Sequence, residues 1–220
     1  MCLWFEVEYV RHVEVYEDLL VESQSDLVMY PDSLIEIAWI ASGGKPGRQI
    51  SSIYAWSFFG YVYEAIYSTL FMNNLRFPKS PTSARICRTA AWNMQQVDPP
   101  WRINISDLAR NNKSVKASHF SATVYLSRNW DHSQILSFNL SREYFGRRAY
   151  GINNASEVYF RKTLKELTVQ EIAILCVLSD GPFYYSKRGR HVFLPRVNEV
   201  LAQLPEAEPL TAIPAGLFQD

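Results

Sequence analysis

The stretch from Trp130 to Pro182 constrains the fold more than any other part of the chain. Ile135, Leu136, Leu140 and Phe145 recur at helical spacing, and Gly146 then supplies a stop. Gly146, Tyr150 and Gly151 mark a tight, aromatic-flanked connection, where glycine tolerates a positive φ or a close backbone approach. Asn154 to Phe160 opens a second helix, with Ala155, Val158 and Tyr159 on its apolar side. Leu164 and Leu167 lead to Thr168, and Glu171 follows three residues later. Thr168-Val-Gln-Glu171 therefore reads as a capping box in front of a buried helix, Ile172 to Leu178. Asp180-Gly181-Pro182 ends it.

At 220 residues the chain is long enough for one domain with a sizeable core. Lys+Arg and Asp+Glu balance at 22 each, so no global field argues for a nucleic-acid partner. Cys2, Cys87 and Cys176 are too few and too scattered for a metal site or a disulfide framework. Cys176 lies in an apolar helix and reads as a small core residue.

Read in order, the chain starts with Leu3, Phe5, Val7 and Tyr9 alternating with polar residues, the pattern of a short strand. Glu14, Glu17, Asp18 and Glu22 follow as an acidic helical face, and residues 1–28 read as carrying no secretory signal. The next helix starts at Asp32 or Ser33 as cap, with Leu34, Ile37, Ala38 and Ala41 as its apolar stripe. Ser42-Gly43-Gly44-Lys45-Pro46-Gly47 ends it. Ile53 to Met72 is apolar over about the ~20 residues of a bilayer span. Gly60, Glu64 and several hydroxyl side chains make it a poor span, and it reads as a buried or interfacial helix. A carboxylate in such surroundings must pair, reach water or have a raised pKa, which makes Glu64 a candidate functional residue. Pro99-Pro100 marks a loop. Helices are expected near 33–41, 53–72, 114–128, 131–143, 153–161, 168–178 and 193–203, and residues 205–220 read as a tail or linker stub.

The letters of the central stretch resemble the C-terminal half of the peptidoglycan glycosyltransferase (transglycosylase) domain, glycosyltransferase family 51. Those that carry the resemblance are Ile135-Leu136, Leu140, Tyr144-Phe145-Gly146, Tyr150-Gly151-Ile152, Ala155 and Tyr159-Phe160. Leu167-Thr168, Glu171, Ala173, Leu175 and Leu178 extend it without a gap. Arg196, Val200 and Leu201 match the family's closing R-x-x-x-V-L helix. The resemblance implies a mainly α, lysozyme-like single domain over residues 1–204, here with a short N-terminal strand. It also implies a bacterial protein associated with the membrane at the cell envelope. The partners implied are a lipid-linked disaccharide-peptide (lipid II) or a glycan strand, and a membrane surface.

The family's chemistry needs a carboxylate base for the acceptor hydroxyl and cations near the pyrophosphate leaving group. The upstream motifs depart from that pattern. Where the family has its catalytic Glu at the end of the first helix, this chain has Gly43-Gly44, or Ser42-Gly43 in a register one residue earlier. Residues 79–89 fall on the family's second motif, with Arg88 at its Lys; a competing register places Asp107 to Asn111 there. Lys116 matches the Lys of R-K-x-x-E while His119 replaces its Glu, and Ser141 replaces the Asn of Y-L-N. The candidate substrate-binding residues are thus Lys116, Arg88, Arg85, His119, Ser141 and Arg148. Glu64 is the candidate base, since its sequence distance to Ser141 approaches the family's base-to-Asn distance. No cofactor is implied, and a divalent cation stays open. Two readings remain: a transferase of reduced activity on lipid II or glycan strands, or a catalytically inactive lysozyme-like binding module.

Overall fold

A computed structural model of the chain describes residues 7, 9, 10, 27–54, 82–96, 115–187 and 189–218. It is mainly α, as the sequence implies. The chain forms two compact units, one of residues 1–27 and 50–135, the other of residues 28–49 and 136–220. Residues 7, 9 and 10 are helical, which corrects the expected strand at that point. Four alternating letters are a weak strand signal that local helix propensity overrides.

In the first unit, α2 (Thr82–Gln96) packs against α3 (Val115–Asn129). α2 was not foreseen in the sequence. Its inner face carries Ile86, Cys87, Ala90, Ala91 and Met94, all buried, and the small residues let the neighbouring backbone approach closely. α3 answers with Ala122, Val124 and Leu126. An extended segment, residues 50–54, is held by side chains rather than by a sheet. The Ile50 N–H donates to His132 Nδ1 at 3.2 Å, the Ser51 N–H to Ser83 Oγ at 3.0 Å and the Ile53 N–H to Ser127 Oγ at 2.9 Å. The Arg128 guanidinium closes the set by donating to the Ile53 carbonyl at 3.0 Å. The expected helix 53–72 lies, beyond residue 54, outside the described residues.

In the second unit, α1 (Asp32–Ala41) buries Leu34, Ile37, Ala38 and Ala41 as expected, and Trp39 and Ile40 as well. Its N-cap is Pro31 rather than Asp32 or Ser33, and Asp32 instead places its carboxylate in the first turn, where the helix dipole favours it. α4 (His132–Arg142), whose first four residues count to the first unit, opens with a reciprocal cap: Asp131 Oδ1 accepts from the Gln134 N–H at 2.7 Å and Gln134 Oε1 from the Asp131 N–H at 2.9 Å. Then comes a two-stranded antiparallel hairpin, β1 (Tyr144–Gly146) and β2 (Ala149–Tyr150), followed by α5 (Ile152–Phe160).

The middle of this unit is α6, Val169–Ser179. Six consecutive residues, Ala173 to Leu178, are buried, and Ala173, Ile174, Leu175 and Val177 are wholly inaccessible. A helix apolar all round must be enclosed, and α1, β1, α5, α7 (Pro182–Lys187) and α8 (Arg190–Leu201) all touch it. The expected capping box is formed: Thr168 Oγ1 accepts from the Glu171 N–H at 3.2 Å, and Glu171 Oε2 from the Thr168 N–H at 2.8 Å. Gly189 caps α8, which begins at Arg190, three residues before the expected position.

Residues 205–218, read as a tail or linker stub, pack on this same unit. Asn198 holds Leu210 through both its amide oxygen and its amide nitrogen, at 2.8 and 3.0 Å. Leu217 is buried, and the Phe218 ring stands edge-on to Phe193 with centroids 5.1 Å apart.

Candidate functional site

The place where the resemblance puts the catalytic Glu is a closed helix end. The Gly43 N–H donates to the Ile40 carbonyl at 2.8 Å and the Gly44 N–H to the Trp39 carbonyl at 2.9 Å, the crossed pair of bonds of a glycine C-cap. Gly43 has φ 85°, a conformation that a side chain disfavours. The Trp39 indole lies over Gly44, where an added Cβ would come within 2.1 Å of the ring. Trp39 Nε1 then donates to the Lys45 carbonyl at 2.9 Å, which fixes the ring in place. The nearest carboxylate in sequence, Glu36, accepts from the Gly47 N–H at 3.1 Å and so braces the same loop. Arg196, the arginine of the closing motif, donates to the Ala41 carbonyl at 2.9 Å, satisfying an orphan acceptor in the last turn of α1. The letters alone match Arg196 to the closing motif; its role in securing this helix end has no local signal, because 155 residues separate the partners.

Ser141, at the place of the family's Asn, directs its hydroxyl into its own helix, donating to the Phe138 carbonyl at 2.8 Å. It accepts from Arg142 at 3.1 Å, and the Arg142 guanidinium lies 4.1 Å from the Phe138 ring centroid. Beyond it, Gly151 is packed so that an added Cβ would stand 2.6 Å from the Ser141 carbonyl oxygen. The Y-G-I letters thus shape the backbone beside Ser141.

The hairpin turn carries Arg147 and Arg148, both exposed and both left-handed, with φ 49° and 60°. Arg147 donates to the Gly216 carbonyl at 2.7 Å and sits 5.2 Å from the Tyr159 ring centroid. Tyr159 in turn donates to the Phe145 carbonyl at 2.8 Å, and burial raises its pKa while the Arg147 charge opposes the shift. Between hairpin, α7 and the C-terminal segment lies a partly open pocket of about 130 Å³. Nothing in the sequence announced it, because Tyr144, Tyr159, Phe183 and Phe218 meet only in the fold.

Arg85 and Arg88 lie on α2, Arg85 half-buried and Arg88 exposed. Lys116 and His119 lie in the first two turns of α3. Arg85 and Arg88 are one turn apart on one helix, and Lys116 and His119 likewise on its packing partner, so the first unit holds all four. Ser141 and Arg148 belong to the second unit. Glu64 lies outside the described residues. Burial pushes the Cys87 thiol up to about 12 and raises that of Cys176 as well, so neither is a reactive nucleophile. Among the described residues, no three His, Cys, Asp or Glu side chains converge as metal ligands would, and no helix is long and apolar enough to cross a membrane.

A family model described as transglycosylase matches residues 102–205. Penicillin-binding protein 2D of Bacillus subtilis is 40% identical over 81 residues, 37% of this chain and 11% of that protein. Penicillin-binding protein 1F of the same organism is 37% identical over 71 residues, 32% of this chain and 10% of that protein. Penicillin-binding protein 1A of Aquifex aeolicus is 34% identical over 88 residues, 38% of this chain and 12% of that protein. The chain therefore matches about a tenth of the length of these curated relatives. Its resemblance to the peptidoglycan glycosyltransferase domain rests on that segment, which contains the hairpin, α6 and α8.

Proposed function

We propose that the chain is a peptidoglycan glycosyltransferase-like module of bacterial cell-wall synthesis that binds lipid II or glycan strands at the envelope membrane surface, with weak or no polymerising activity. The observation that carries this reading is the Gly43–Gly44 cap under Trp39, at the place where the family holds its base. A general base acts only within hydrogen-bond reach of the proton that it takes, and a glycine cap offers no acceptor side chain. Two further polar positions have changed with it, to His119 and Ser141, and the Ser141 hydroxyl is engaged with its own helix. The scaffold downstream is kept, which supports a retained binding role.

In this reading Lys116 and Arg88 hold the pyrophosphate of the lipid, with Arg85 and His119 of the same helix pair as further contacts. A cation near that group stabilises the bound dianion and, in an active relative, the charge of the departing pyrophosphate. Glu64 is the acid that would have to serve as base. The test is equilibrium binding of undecaprenyl pyrophosphate in detergent to the purified chain. Lys116→Gln with Arg88→Gln is expected to weaken binding by about tenfold or more, the size of a lost charge-assisted contact. Binding unchanged in the double variant would refute the assignment of these cations.

A further inference from the structure

Residues 205–218 turn back from the end of α8 and seat on their own unit as a peptide seats in a groove. Side chains of the unit hold main-chain atoms of the segment. Asn198 accepts from the Leu210 N–H at 2.8 Å and donates to the Leu210 carbonyl at 3.0 Å. Arg147 donates to the Gly216 carbonyl at 2.7 Å, and Arg190 to the Phe218 carbonyl at 2.8 Å. Two apolar anchors complete the seat: Leu217 is buried, and Phe218 stands edge-on to Phe193 with the Arg190 guanidinium 5.4 Å from its ring centroid. Leu217 and Phe218 also line the pocket of about 130 Å³, opposite Tyr159, Leu178 and Pro182, so the segment is one wall of that pocket. Main-chain bonds of this kind hold a peptide, and pockets for its side chains select it.

The connection to that segment is built differently. Gln203, Pro205, Glu206, Glu208 and Pro209 are exposed, and the two prolines restrict the turns that the connection can make. Glu206 is held at φ 61°, a left-handed conformation that a side chain disfavours. A short hinge under strain, behind a segment with a well-formed seat, favours exchange between copies, because opening relaxes the hinge and keeps the seat. We propose that two copies of the chain exchange residues 210–218, each segment seating between the hairpin, α7 and α8 of the other copy. A short tether presents its own segment at an effective concentration on the order of mM, which favours the closed monomer. Release of the left-handed residue favours the open hinge by at least about fivefold per copy, so by about 25-fold for the pair. The exchanged dimer is therefore expected to dissociate with a constant on the order of tens of µM. Each pocket is then made by two copies, with Leu217 and Phe218 from one and the remaining walls from the other. The exchange does not depend on any lipid or glycan ligand.

The test is sedimentation of the full chain from about 1 to about 300 µM, a range that brackets the expected constant, with time allowed for exchange. Monomer at the low end and dimer at the high end are expected. The amide resonances of α8 should be the same in both forms, and those of residues 203–209 should differ. Glu206→Gly lets the closed hinge relax and is expected to weaken the dimer by at least about tenfold. Cross-linking reads the exchange itself. In a Cys2→Ser background, Asn198→Cys with Leu210→Cys in one chain is expected to form a disulfide, because the two positions share a pair of hydrogen bonds. Chains with Asn198→Cys alone, mixed with chains with Leu210→Cys alone, are expected to give a covalent heterodimer under the same conditions. A monomer across the whole range would overturn the proposal. So would a dimer that Glu206→Gly leaves equally strong, or a mixture that gives no heterodimer while the doubly substituted chain closes its disulfide.

Discussion

The Trp39 indole lies across Gly44 and is pinned there by its hydrogen bond to the Lys45 carbonyl, so that no side chain fits at Gly44 while the indole stays. This contact makes the end of α1 a packed corner. Gly44→Ala forces the ring or the loop to move and is expected to destabilise the chain by about 1–3 kcal/mol, the usual range for overpacking. Gly43→Glu restores a carboxylate in name only. Its φ of 85° costs a side chain about 1–2 kcal/mol, and the variant is expected to unfold at lower urea without gaining glycan synthesis. Urea midpoints for both variants, with a polymerisation assay on the second, check this.

The cap of α6 is expected to be sensitive to both substitution and acid. Thr168→Ala removes the acceptor for the Glu171 N–H and should cost about 1 kcal/mol. Burial opposes ionisation of Glu171, but Lys162 Nζ at 2.6 Å and the Thr168 cap outweigh it and hold the carboxyl below its ordinary 4.5. A depressed folded pKa contributes stability that is present above 4.5 and is lost as pH falls through the folded value. Glu171→Gln should therefore flatten the acid limb of the stability curve below 4.5, and identical limbs in both proteins would contradict the sign.

Arg148 occupies a left-handed position that glycine fills more cheaply. Arg148→Gly should raise stability by about 0.5–1 kcal/mol, since the relief of strain exceeds the extra chain entropy of glycine. Thermal unfolding of variant and parent, read side by side, checks this.

The second unit was legible because its signals are local. The Thr168–Glu171 box, the apolar run to Leu178 and the glycines at 146 and 151 each specify their element within a few residues. The hairpin was read only as a tight connection, since two short strands leave too few alternations to see. α2 was missed because Arg, Thr, Asn and Gln dilute its apolar stripe, leaving small residues, Cys87, Ala90 and Ala91, to make the contact. The strand expected near Val7 rested on four alternating letters, and Val7 and Tyr9 are helical. Of the candidate site, the letters show Gly43-Gly44 at the place where the resemblance puts an acid. The indole over Gly44 and the Arg196 bond to Ala41 are products of the fold.

The central claim is that the scaffold persists without a working base, and glycan-strand synthesis from lipid II by the purified chain tests it most directly. The account predicts little or no polymer above a protein-free blank, with Glu64→Gln indistinguishable from the parent. Robust synthesis by the parent would contradict it: if Glu64→Gln abolishes that synthesis, Glu64 is the base, and if it does not, the site lies elsewhere.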